Sequence, residues 1–496
     1  VNVISNSRIA EGGKEINMKK GLNIVLIVAD TFRKDHLGCY GNSSIQTPHL
    51  DHLAGRAVVF DRCYAASFPT VPARTDLLTG KFSFTHLGWG PLPANEVTLP
   101  QLLSAEGDYT TIGIVDTPFY IRNGYGHDRG FDDFIWIRGQ RPGLERRSVT
   151  QDWRYEEEHF APTSIRAAEK WIENHYKEKF FLMIDTWDPH EPWDPPGYYV
   201  EKYCDNYDGR PSPWPCYWYW KEAGLHDDDL KRCHIHYCGE ITMVDRWIGR
   251  LLERLESLDL MDKTVVIFTS DHGFYFGEHG MLGKAMMRSK EGGYIVGLSP
   301  DKHRAQNKFT MLFRSPETGE VGPSQGLWLR SPIYEEVSRV PLLICVPETK
   351  SRRVDAMLSL PDLMPTILEL AGLEIPEIVQ ASSLLPLIRG ESKQLHDLII
   401  TSWPLYTPGE TIRVVDDWER IVTESMPSTI TDGDWTLLYA TKGEPVELYE
   451  RVSDPWLEKN VFDDHEAVAR DLHTRFLRFL EKVGTSEARL KLRQTF

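Results

Sequence analysis

The chain has 496 residues, 41% hydrophobic and 26% charged, which allows about two to four domains or one large α/β domain with a smaller partner. A formal net charge of -17 argues against nucleic acid or an anionic membrane as main partner, while a buried cation would still admit a small anionic substrate. Seven cysteines without the spacing of a disulfide framework read as reduced thiols of a cytoplasmic chain, and no apolar run of about 18 residues predicts a membrane span.

Val1 to Asn17 is polar, lacks the apolar centre of a signal peptide and reads as an N-terminal tail (residues 1–17); Met18-Lys19-Lys20 looks like a natural start. Asn23 to Ala29 is a short continuous apolar run ending at Asp30, as expected of a parallel strand buried on both faces. Phe180 to Ile184 ends at Asp185 and Lys263 to Ser270 ends at Asp271 in the same way; Thr111 to Val115 and Val340 to Cys345 are weaker strand candidates. Helical patterns, such as Ile241 to Leu258 and Leu363 to Ala371, separate these runs. The alternation predicts an α/β fold over residues 18–382, a three-layer α/β/α sandwich with a central, mostly parallel sheet. Ligands of such sheets bind beyond the carboxyl ends of the strands, so the strand-end aspartates would gather where a metal could sit. Trp187 to Leu230 and Met286 to Ser331 look like insertions and read equally as active-site covers or as surface loops and contacts within a homo-oligomer. Beyond Ser383, strands at Gly433–Ala440 and Glu447–Tyr449 and a charged helix at Glu466–Val483 predict a small α+β subdomain over residues 383–496.

Phe68 to Gly80 carries the most chemistry. Pro72 fits the first turn of a helix, which puts Thr70 at its amino-terminal end, where free N–H groups and the dipole favour an anion. Arg74 lies one turn on, along the same face. Thr70 reads either as a nucleophile, which needs a metal and Arg74 for activation, or as an ordinary helix cap. The cluster Cys233-His234-Ile235-His236-Tyr237-Cys238 is a further group of metal-ligand types, with spacing unlike a standard zinc finger.

Thr70, Pro72, Arg74, Thr79 and Gly80 fit the sulfatase signature of Cys or Ser, x, Pro, x, Arg, four residues and Thr-Gly. Further marks follow in order: Asp30, Gly38-Cys39-Tyr40-Gly41, Thr47 to Asp51, Arg129 to Asp132, Val244-Asp245, Ser270 to Gly273, Glu278-His279-Gly280 with Lys284, Arg339 to Pro341, and Asp362 to Thr366. From Asn23 to about Asn460 the chain thus resembles the sulfatase family of the alkaline phosphatase superfamily. The resemblance implies an alkaline phosphatase-like fold and a divalent metal ion on Asp30, Thr70, Asp271 and His272. His272 stands where many sulfatases have Asn and hold calcium, and Thr31 where many have a second Asp. The Asp271-His272 pair is more similar to the phosphonate monoester hydrolases and phosphodiesterases, and its imidazole favours manganese or zinc over calcium.

Two departures separate the chain from the sulfatases. Family sulfatases convert Cys or Ser at the nucleophile position into formylglycine, a route closed to Thr70. Their Gly-Tyr-x-Thr…Gly-Lys-x-His signature keeps Tyr109 and Thr111 here, but Asp116 and Pro118 replace its Lys and His. Asp116 reads as a ligand for a second cation or a substrate ammonium group, or as a solvent-facing loop residue. The resemblance makes His190 a proton donor to the leaving group, Lys284 a cation on the substrate oxygens, and Tyr109 and His279 secondary pocket residues.

The expectation is a metal-dependent hydrolase of a phosphodiester or phosphonate monoester, acting through phosphothreonine, with sulfate esters as promiscuous substrates. Two other readings stay open: a sulfatase using Thr70 directly, and an inactive binding protein that kept the fold.

Overall fold

The structure is a computed structural model that describes residues 21–117, 125–137, 153–300, 309–415 and 418–496. The tail 1–17, the start at Met18, Pro118 and part of the second insertion lie outside them.

A nine-stranded sheet forms the centre. Its strands are β1 (Asn23–Ala29), β2 (Val58–Tyr64), β3 (Thr110–Val115), β4 (Asp133–Trp136), β5 (Phe180–Thr186), β6 (Thr264–Thr269), β7 (Arg339–Val340), β8 (Leu342–Cys345) and β9 (Arg352–Ser359). The order is β7-β2-β8-β6-β1-β5-β3-β4, with β9 also paired to β2. β4, β3, β5, β1 and β6 run parallel, and β7 and β8, consecutive segments around Pro341, run against their neighbours. The sheet is mostly parallel, as the apolar runs predict.

β1 explains why those runs lack alternation. Side chains alternate across a strand. Val25, Ile27 and Ala29 enter one core with Ile165, Trp171, Ile241 and Ile248. Ile24, Leu26 and Val28 enter the other with Leu77, Leu99, Leu103 and Ile367. The first core lies under the helices Pro48–Ala54 (α1), Phe160–His175 (α4) and Asp227–Ser257 (α5); the second lies under Thr70–Thr79 (α2), Leu99–Gly107 (α3) and Leu363–Ala371 (α6). Both faces of the strand are dry, so every position from Ile24 to Ala29 is apolar.

The later part of the chain adds a four-stranded antiparallel sheet of Ile399–Ser402, Ser428–Thr431, Trp435–Tyr439 and Glu447–Glu450. The helix Glu466–Lys482 (α7) packs on it through Leu472, Phe476 and Leu480, against Ile430, Leu437 and Leu448. This sheet touches the central one where Ser67 bridges Ser402, just before α2.

Two expectations are corrected. The segment Met286 to Ser331 is not irregular: its described residues form short strands, including Tyr294–Pro300 against Phe309–Arg314, and Gly326–Trp328 beside Trp418–Val422. The short strand Gly326–Trp328 depends on a distant partner, which a local periodicity cannot register. The stretch Trp187 to Leu230 is not wholly loop either, since α5 begins at Asp227.

Candidate active site

The carboxyl ends of β1, β5 and β6 bring Asp30, Asp185 and Asp271 to one rim, all fully buried. Three buried carboxylates repel one another unless a cation lies among them. Arg74, on α2, supplies one. Its Nε and Nη2 donate to Asp185 at 2.9 and 2.8 Å, its Nη1 donates to Asp271, and Nη1 lies 3.0 Å from Asp30 Oδ2. The planar guanidinium serves as a clamp that a point charge could not replace.

Thr31 follows Asp30 with φ +61°, a left-handed conformation that costs a β-branched residue ~1–3 kcal/mol. Hydrogen bonds on all sides hold it there. Its N–H donates to Asp271 Oδ1 at 3.0 Å, its hydroxyl donates to Asp30 Oδ1 at 2.6 Å, and its carbonyl accepts from Tyr237. Lys284 Nζ donates to the same hydroxyl at 3.0 Å and lies 3.7 Å from Asp30 Oδ1. Thr31 thus links the lysine to the carboxylate.

α2 starts at Thr70, with Pro69 as its cap residue. Thr70 Oγ1 lies 3.4 Å from His272 Nε2. His272 Nδ1 faces the Gly273 carbonyl at 3.1 Å, so Nδ1 carries the proton and Nε2 keeps its lone pair, the tautomer that a metal ligand needs. A Cβ on Gly273 would collide with the Glu336 carbonyl, so a glycine is required for this loop to pack. Burial, then the charge of Lys284, holds the His272 imidazole well below its usual pKa. Burial, then Asp271, pushes Asp30 up, while Arg74 and Lys284 pull it down.

Asp30, Asp271 and His272 offer ligand atoms within 4.8 Å of one another. Asp30 Oδ2 is buried and accepts no hydrogen bond. A carboxylate oxygen paired with Arg74 by charge but not by a hydrogen bond, beside a second carboxylate and an imidazole lone pair, fits a divalent cation.

The other predicted residues are placed as follows. His190 stacks on Trp187 with ring centroids 3.6 Å apart, and its Nδ1 meets the Glu191 carbonyl at 2.6 Å. Burial, then Lys284, depresses its pKa well below the usual value. His279 stacks on Tyr334 and meets Glu336 Oε2 at 3.3 Å, behind the Gly273 loop.

Tyr109 is not at the site. It precedes β3, at the sheet's amino-terminal end, and donates to the Leu22 carbonyl at 2.8 Å; Lys179 lies over its ring. Thr111 is bonded to Gly130 and Asp132. Asp116 is at the rim but not in solvent. It is fully buried, accepts from the Trp187 N–H and from Ser164 Oγ at 2.6 Å, and burial, then Asp188, raises its pKa well above normal.

Sequence reasoning gave Asp185 no role beyond its place at a strand end, and missed Glu191 and Tyr217. Glu191 accepts from the Tyr217 hydroxyl, and burial pushes its pKa to about 7. Tyr217 comes from the first insertion, which therefore lines the site's border. The Pro-rich, aromatic composition after Trp187 was the available signal.

The comparisons with known proteins agree with this architecture. Residues 22–373 match the family described as Sulfatase, and residues 324–482 match one described as N-sulphoglucosamine sulphohydrolase, C-terminal. An arylsulfatase of Clostridium perfringens is 26% identical, over 94% of this chain and 95% of its own length. An N-acetylglucosamine-6-O-sulfatase of Bacteroides thetaiotaomicron is 25% identical, over 75% of this chain and 71% of its own. The crystal structure of a phosphonate monoester hydrolase of Agrobacterium radiobacter superposes with a TM-score of 0.68 at 19% identity, over 93% of this chain and 96% of that one. All seven cysteines are free, and no helix among the described residues is long and apolar enough to cross a membrane.

Proposed function

Since the chain belongs to the sulfatase family and is a sulfatase-like hydrolase of ester bonds, we propose that it cleaves a phosphodiester or phosphonate monoester through a covalent phosphothreonine at Thr70. The observation that carries the reading is Thr70 itself. It replaces the Cys or Ser of the signature, and its hydroxyl lies 3.4 Å from His272 Nε2.

The family depends on divalent metals, and Asp30, Asp271 and His272 would hold the ion, manganese or zinc in preference to calcium. Bound there, it supplies Lewis-acid charge beside the reacting phosphorus and makes a neighbouring hydroxyl more acidic. Thr70 Oγ1 loses its proton to solvent and attacks phosphorus in line, while the bond to the leaving oxygen breaks. Lys284 balances charge building on the non-bridging oxygens. Arg74 already binds Asp185 twice and Asp271, so in place of the expected activation of Thr70 its part is to hold Asp30, Asp185 and Asp271 in register. Burial keeps the His190 imidazole neutral at rest, so Nε2, on the side away from the Glu191 carbonyl, first takes up a proton from solvent and then hands it to the leaving oxygen. Water then cleaves the phosphothreonine.

The second reading, a sulfatase that uses Thr70 directly, is favoured by relatives named as an arylsulfatase and an N-acetylglucosamine-6-O-sulfatase. The deciding assay strips the metal, reloads manganese, zinc or calcium, and compares nitrophenyl phosphodiester, phosphonate, phosphate monoester and sulfate. Preference for the diester or phosphonate is expected with manganese or zinc. Preference for sulfate would end the phosphorus reading.

A further inference from the structure

The helix α5 carries a cluster that the ester chemistry does not use. His234 and Cys238 lie one turn apart, so their side chains share a face. The turn Lys34–His36, which follows β1, sets His36 against that face. His36 Nε2 lies 2.8 Å from His234 Nε2, and Cys238 Sγ lies 3.7 Å from His234 Nε2. The three ligand atoms all fall within 4.8 Å of one another. His36 and Cys238 are buried and His234 is partly exposed, which leaves a way in for an ion.

Asp35 prepares the site. Its Oδ1 lies 2.9 Å from His36 Nδ1, and Arg33 holds its two oxygens at 2.9 and 2.6 Å. With Nδ1–H donating to Asp35, His36 Nε2 presents a lone pair to the cluster. An imidazole oriented by a carboxylate is the usual outer support of a metal ligand. Two imidazoles and a thiol form a donor set for zinc, softer than the oxygen-rich centre at Asp30. Tetrahedral zinc would set the nitrogens about 3.3 Å apart and nitrogen from sulfur about 3.5 Å. The His234–Cys238 separation is close to this, and the two imidazoles would move apart by about half an ångström to reach it.

We propose that His36, His234 and Cys238 bind a zinc ion, with the fourth position open to water, at a site whose ligands are separate from those of the Asp30–Asp271–His272 centre. Binding breaks the Cys238 S–H bond and forms a zinc–sulfur bond, and the thiol proton leaves to solvent. His234 binds as its Nδ1–H tautomer. Cys233 and His236 take no part, since they face Pro213 and Arg210 of the first insertion. The ion would tie the exit of β1 to α5 beside Tyr237, which already accepts from the Arg33 N–H and donates to the Thr31 carbonyl.

The test loads the full-length, metal-free protein with cobalt(II) and reads the near-ultraviolet thiolate-to-cobalt charge-transfer band. The Asp30 centre has no sulfur ligand and is silent in this band. A band that saturates within about two added equivalents, at the amplitude of one thiolate-bound cobalt, and that zinc removes, is expected. Cys238→Ser should lose it and Cys233→Ser should keep it. No band in the wild type at excess cobalt overturns the site, as does a band that survives Cys238→Ser. If Cys238→Ser does not fold, the wild type and Cys233→Ser still decide, since loss of the band in Cys233→Ser also overturns it.

Discussion

Asp30 and Asp116 end strands that flank β5 on its two sides, and both are fully buried at the same rim. Asp30 lies 3.0 Å from Arg74 and 3.7 Å from Lys284. Asp116 has a backbone N–H, a serine hydroxyl and, among the described residues, no paired cation. A buried carboxyl without a cation keeps its proton, because desolvation penalises the charged form. The first carboxylate is equipped to hold a metal and the second to fasten the Trp187 loop to α4. Position at a strand end makes an acidic residue a candidate; the nearby cations decide what it does.

The comparison breaks most visibly on the cationic side. Thr70→Ala should fold normally and lose turnover by at least about 10³-fold, the scale on which loss of a nucleophile is felt. An active variant would remove Thr70 from the chemistry. Asp271→Ala should lower the bound metal by about one equivalent in elemental analysis, on the donor chemistry of that centre; unchanged content would refute the ligand set. Arg74→Ala leaves three carboxylates without their clamp, and breaking a buried pair in this way costs ~3–5 kcal/mol in denaturant unfolding. A loss below ~1 kcal/mol would show that other groups neutralise them.

The cationic half was also the legible half. Thr70, Arg74 and the strand-end aspartates lie in short local patterns, whose periodicity and caps can be read from neighbours alone. β1 was legible to the residue because both its faces are dry. Arg74 and Asp185 are 111 residues apart, and nothing local announces the bond between them. Asp116 was misread for the same reason, since its partners Ser164 and Trp187 lie 48 and 71 residues away. Tyr109 was carried over from a motif whose Lys and His are replaced here, and its hydroxyl is satisfied by Leu22 at the opposite end of the sheet. The strands of the second insertion pair with partners as distant as Trp418–Val422.

The smallest expected effect tests the other half of the rim. Asp116→Asn removes no ion pair and keeps an oxygen for the Trp187 N–H, so stability near pH 4 should change by less than ~1 kcal/mol. Its pH dependence should change more. The folded pKa of Asp116 lies well above the ordinary 3.8, so the folded chain keeps a proton that the unfolded chain gives up. The stability this contributes is complete below the unfolded value and is lost as pH rises towards the folded one. Wild type should therefore lose stability relative to Asp116→Asn as pH is raised from about 4 through neutrality, measured as the difference between two series of denaturant midpoints. Taking the difference removes the contributions of buried acids away from Asp116, such as Asp245, which is pushed to about 7. Two parallel series would mean that Asp116 is ionised in the folded chain, and the cations at the rim would no longer explain why Asp30 and Asp116 behave differently.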